Sequence, residues 1–68
     1  MYSPTAAEMQ ILTFLSKQTK NTVSIQELLA HFSNTSFARR AIEGCCAKGF
    51  AVQTESMLRL TETGAQCI

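Results

Sequence analysis

The sequence predicts a small α+β domain: three helices, then a two-stranded β-hairpin, then a short helical tail. Apolar residues recur at helical spacing as far as Lys48, and from Phe50 onward the period changes to alternation. Recognisable start and stop residues stand at the boundaries between these runs. The chain of 68 residues is long enough for one domain, spanning 1–68, with a modest core.

The first helix is expected over residues 3–20. Ser3-Pro4 supplies a cap and a proline at the first helical position, and Glu8 sits early, where the helix dipole favours an acid. Ala7, Ile11, Phe14 and Leu15 share one face with Leu12 at its margin, and the polar run "KQTKN" ends the helix. The second helix, 24–32, opens on the Ser24-x-x-Glu27 capping box and carries the stripe Ile25, Leu28, Leu29, Phe32. Thr22-Val23 just before it reads as a short extended piece.

"SNTS" at 33–36 is a turn and cap cluster that starts a third helix running to about Lys48. Gly49 suits the residue just past its end and Lys48 its last turn. The expected inward face is Ala38, Ala41, Ile42 and Cys45; the expected outward face is Ser36, Arg39, Arg40, Glu43 and Ala47. "FAVQTESMLRLT" then reads as two strands around a turn at Glu55-Ser56, with Phe50 and Val52 alternating with Ala51 and Gln53, and Leu58 and Leu60 with Met57, Arg59 and Thr61. Thr61 caps the tail. Leu28, Leu29, Ile42 and Leu60 are expected to be buried together.

This order of elements is that of a winged helix-turn-helix. The runs "SIQELLAHF", "SFARRAIEGCCAKGF" and "LRLTETGAQ" resemble bacterial winged-helix regulators of the MarR type over residues 8–66. The last run is similar to the L-T-x-x-G return strand and helix start of that group. The chain departs from it in having no basic residue at Glu55-Ser56 and no long C-terminal dimer helix. The resemblance implies a cytoplasmic transcriptional regulator or accessory factor of bacterial or phage type, binding double-stranded DNA through its third helix.

On that reading the contact residues are Thr35, Ser36, Phe37, Arg39, Arg40, Glu43 and Arg59. Arginine pairs bidentately with guanine or phosphate, and the open amides of a helix start take a phosphate. The plainer reading is that Arg39 and Arg40 keep an exposed helix face wet, with Glu43 as an intrahelical partner. Between Asn34 and Leu60 the bases Arg39, Arg40, Lys48 and Arg59 face the acids Glu43 and Glu55, so the local excess of positive charge is small. A few phosphate contacts give weak, salt-sensitive binding, which argues for a homodimer or a larger assembly. Tyr2, Met9, Phe37, Cys67 and Ile68 fall outside the tidy stripes, and a dimer through the first helix and tail is expected. The alternative function is a winged-helix module for protein contact or oligomerisation without direct DNA binding.

Several other functions are disfavoured. The chain has no aspartate, scattered glutamates, one histidine and no phosphate loop, so no enzyme is expected. Cys45 and Cys46 are adjacent and Cys67 is distant; they are read as packing in a reduced intracellular protein, with no metal and no other cofactor. His31 is read as a capping or surface residue. No signal peptide, membrane segment or small-molecule site is expected.

Overall fold

The computed structural model describes residues 3–68. Among these, four α-helices and a three-stranded antiparallel sheet form a small α+β unit: α1 (Ala6–Ser16), β1 (Thr22–Ser24), α2 (Ile25–Ala30), α3 (Thr35–Ala47), β2 (Ala51–Thr54), β3 (Met57–Leu60) and α4 (Glu62–Ala65). Tyr2 lies outside the described residues.

The first helix is shorter than expected at both ends. Its cap is Thr5, because Thr5-x-x-Glu8 closes a reciprocal capping box that a Ser3 cap cannot match. The Glu8 amide donates to Thr5 Oγ1 at 3.2 Å, and the Thr5 amide donates to Glu8 Oε1 at 3.0 Å. At the other end a 3-10 turn, Thr19–Asn21, turns the chain, with Lys20 and Asn21 at φ of 59° and 55°. Two consecutive left-handed residues cannot continue a right-handed helix. Leu12, expected at the margin, is fully buried, since α1 meets α3, β3 and α4 and so needs a broader apolar arc than one contact requires.

The sheet has the order β1-β3-β2. Thr22-Val23 is therefore more than an extended piece: with Ser24 it pairs with β3, in the register Thr22↔Arg59, Val23↔Leu58, Ser24↔Met57. The hairpin adds Ala51↔Leu60 through Thr54↔Met57. Leu58, Leu60, Val23 and Ala51 point into the core. Phe50 does not share a face with Val52 as expected. It precedes β2 and is buried together with Ala51, whereas Val52 is exposed. The turn is pinned as well: the Ile25 amide at the start of α2 donates to the Ser56 carbonyl at 2.7 Å.

α2 starts at Ser24, whose Oγ accepts from the Glu27 amide at 3.1 Å. The Glu27 side chain is exposed and does not close the second half of the expected capping box. α3 is capped by Asn34, whose Oδ1 accepts from the Phe37 amide at 3.0 Å. Its buried residues are Ala38, Ala41, Ile42 and Cys45, as its spacing predicts. It ends at Gly49, with φ of 79°, where the Phe50 amide reaches back to the Cys45 carbonyl and the Gly49 amide to Cys46. Leu28, Leu29, Ile42 and Leu60 belong to one core. Thr61 Oγ1 accepts from the Gly64 amide and starts α4.

A buried ion pair locks α1 to α3. Glu8 is 6% exposed, and Lys48 at the end of α3 donates to its Oε1 at 2.8 Å. Burial alone would raise the Glu8 carboxyl, but the Lys48 ammonium and the Thr5 amide outweigh it and hold the group below 4.5. Gly44 leaves the space that the carboxylate occupies.

Candidate nucleic-acid interface

α2 and α3 are joined by the short segment 31–34, so α3 lies across the surface with one side in the core and one side in water. Asn34 takes one open amide of the helix start, leaving Thr35 and Ser36 as exposed first-turn residues rather than caps. Ser36, Arg39, Arg40, Glu43 and Ala47 are all exposed, as the spacing predicts.

The two arginines flank this face rather than forming one spot. Arg39 lines a shallow depression of about 150 Å³ with Ile25, Ile42, Glu43 and Gln53, between the start of α2 and β2. Arg40 turns to the other flank, where it shares a groove of about 220 Å³ with Phe37, Ala41 and the start of α1. Phe37 is 53% exposed, the largest exposure among the phenylalanines. Among the described residues the one ion pair is Glu8–Lys48. Arg39 and Arg40 thus carry unpaired charge, and the intrahelical pairing that Glu43 offers is not made.

Two bases of the sequence-derived charge count do not join this face. Lys48 is engaged by Glu8. Arg59 stands opposite Thr22 and Val52 on the outer side of the sheet, because its neighbours Leu58 and Leu60 point into the core, where β3 packs against α1. The positive face is therefore Arg39 and Arg40 alone. The hairpin tip beside it is Glu55-Ser56, an acid on a turn tied down by α2. Gln53, which sequence reasoning did not single out, comes next to Arg39; its position on the same strand face as Ala51 was the available signal.

The cysteines lie apart from this face. Cys45 is fully buried and its thiol lies 3.8 Å from the Glu8 carbonyl. Burial, reinforced by the negative charge of Glu8, pushes it up to about 12. Cys46 is half-buried and also raised by burial. Among the described residues no three His, Cys, Asp or Glu side chains converge as metal ligands. His31 closes α2, and its ring tilts against Phe14 with centroids 4.5 Å apart. Among the described residues no helix is long and apolar enough to cross a membrane.

Comparison with known proteins returns no match: no family model, no curated protein and no solved structure matches this chain.

Proposed function

We propose that the domain is a winged helix that binds double-stranded DNA through α3, as a transcriptional regulator or accessory factor. Supporting the architecture are the order α1, β1, α2, α3, β2, β3 and the sheet order β1-β3-β2, an arrangement in which a hairpin stands beside a surface helix. The observation that carries the function is the solvent face of α3, where Ser36, Arg39, Arg40 and Glu43 are exposed and neither arginine has an acidic partner among the described residues.

An α-helix fits the major groove, and residues near its N-terminus reach base edges and phosphates. Arg39 and Arg40, one on each flank, would straddle the groove: one guanidinium pairs with a guanine edge while the other holds a phosphate. Thr35 and Ser36 donate hydroxyls to the backbone. Glu43 accepts from a cytosine amino group and disfavours phosphate close by, so it narrows the register. The hairpin adds little, because its tip is acidic and pinned. Arg59, on the outer sheet face, serves a second phosphate only if the duplex wraps past the hairpin.

Two free arginines give weak binding, so function requires two copies or a second DNA-binding unit. A two-fold dimer through α1 and the tail leaves both arginines free; Ile68, 55% exposed, stands on that side with α4 against α1.

The test is a titration of isotope-labelled domain with a mixed-sequence duplex at low salt, followed by NMR. Amide shifts concentrated over residues 35–43 are expected. Shifts confined to the outer sheet face, or none at millimolar duplex, would contradict the proposal.

A further inference from the structure

The groove between α1 and α3 has features that duplex DNA does not use. Its floor is Ala7 and Ala41, both small and apolar, and one wall is the Phe37 ring. Phe37 also borders a second depression of about 260 Å³ with Asn34, Ser36 and Arg40. The other phenylalanines are packed on the core or within it: Phe14 and Phe32 are half-buried, and Phe50 is 2% exposed. A large apolar ring left in water on a small domain marks a contact surface.

Charge identifies the occupant. Arg40 is common to both depressions and has no acidic partner among the described residues. Glu8 also lines the groove, but Lys48 already neutralises it at 2.8 Å. The mouth is therefore cationic over an apolar floor. Its complement is a carboxylate placed next to an apolar side chain. A phosphodiester backbone supplies the charge and nothing for the floor. A second copy docked groove to groove, with the two-fold axis beside Arg40, would bring Arg40 against Arg40, like charge on like.

We propose that this groove docks an acidic segment of a partner protein, which inserts an apolar side chain between Phe37 and Ala7 and pairs a carboxylate with Arg40. The partner and duplex DNA then exclude one another, because both need Arg40. This exclusion rests on the proposed DNA reading; the docking itself does not.

The probe is a short fluorescent synthetic peptide rich in Asp and Glu around a Leu-Phe pair. Its controls are an acidic peptide with the apolar pair changed to Ser-Ser, and a neutral one with the acids changed to amides. Fluorescence anisotropy and NMR shifts report binding without DNA. The expected result is saturable binding of the first peptide alone, with shifts at residues 5–7 and 37–41. Phe37→Ala and Arg40→Ala each weaken it at least about tenfold, and Arg39→Ala leaves it unchanged. Circular dichroism checks that the variants fold; both side chains are exposed, so folding is retained. Equal binding of the Ser-Ser control, or full binding by Phe37→Ala, would overturn the docking. So would larger groove shifts with a single-stranded oligonucleotide, which would assign Phe37 to a base, or shifts that grow with protein concentration alone, which would assign the groove to a second copy. In a final arm the peptide displaces a labelled duplex. A duplex that binds and is not displaced refutes the exclusion; a duplex that does not bind refutes the DNA reading and leaves the docking result standing.

Discussion

Replacing Gly44 by alanine is expected to destabilise the domain, against the ordinary rule for a helix interior. Removing a mid-helix glycine normally gains about 1 kcal/mol. Here the added Cβ would overlap Glu8 Oε2 and stand 3.1 Å from its carboxyl carbon. A carboxylate at the end of a flexible side chain usually swings aside at little cost. This one is held on its other oxygen by the Thr5 amide at 3.0 Å and the Lys48 ammonium at 2.8 Å. A hydrogen bond to a charged group is worth about 1.5–3 kcal/mol. Lys48 is 25% exposed, so water recovers part of its share, and losing both bonds costs about 2–4 kcal/mol. After the helical gain, Gly44→Ala loses about 1–3 kcal/mol, a fall in Tm of roughly 5–20 °C for a domain of this size. In a Glu8→Ala background the overlap is gone, and the same substitution raises Tm by about 4–8 °C. Thermal melts and urea titrations of the four proteins give the coupling directly. If Gly44→Ala stabilises both backgrounds equally, Glu8 does not rest against α3 and the lock between the helices is wrong.

The same pair gives a pH dependence. The folded Glu8 carboxyl is held below 4.5, so its contribution is complete above that value and is lost as the pH falls through the folded-state value. Urea midpoints are expected to drop as the pH falls below about 5, and Glu8→Gln to flatten that drop; an unchanged profile would refute the assignment. Glu55 adopts a φ of 51° at the hairpin turn, a conformation asparagine tolerates better, so Glu55→Asn should stabilise by about 0.5–1 kcal/mol in urea melts. With Cys45 buried and its thiol pushed up to about 12, iodoacetamide at mildly alkaline pH should label Cys46 and Cys67 first, by mass spectrometry, and reach Cys45 only on unfolding.

Much of α3 was legible because its signals are local. The stripe Ala38, Ala41, Ile42, Cys45 follows from helical spacing, and Gly49 marks the one position that needs a left-handed turn at the helix end. The start of α1 was legible but misread: Ser3-Pro4 and Thr5-x-x-Glu8 compete, and the reciprocal box prevails because it satisfies two amides. What local pattern cannot show is pairing at a distance. β1 becomes a strand only by meeting β3, and Glu8 becomes a buried acid only because Lys48, 40 residues away, reaches it. The same limit applies to the candidate site. Spacing put Arg39 and Arg40 in water, but only the folded chain removes Lys48 from the positive surface, turns Arg59 to the far side of the sheet and brings Gln53 beside Arg39.

The central claim is that α3 binds duplex DNA through Arg39 and Arg40, and the salt dependence of duplex affinity tests it most directly. Each phosphate neutralised contributes about −0.9 to the slope of log K against log salt. The wild-type domain should bind a mixed-sequence duplex weakly, with a slope between about −1 and −2, and Arg39→Ala/Arg40→Ala should weaken binding and bring the slope close to zero while circular dichroism stays unchanged. A double variant that binds with the same affinity and the same slope would contradict the account.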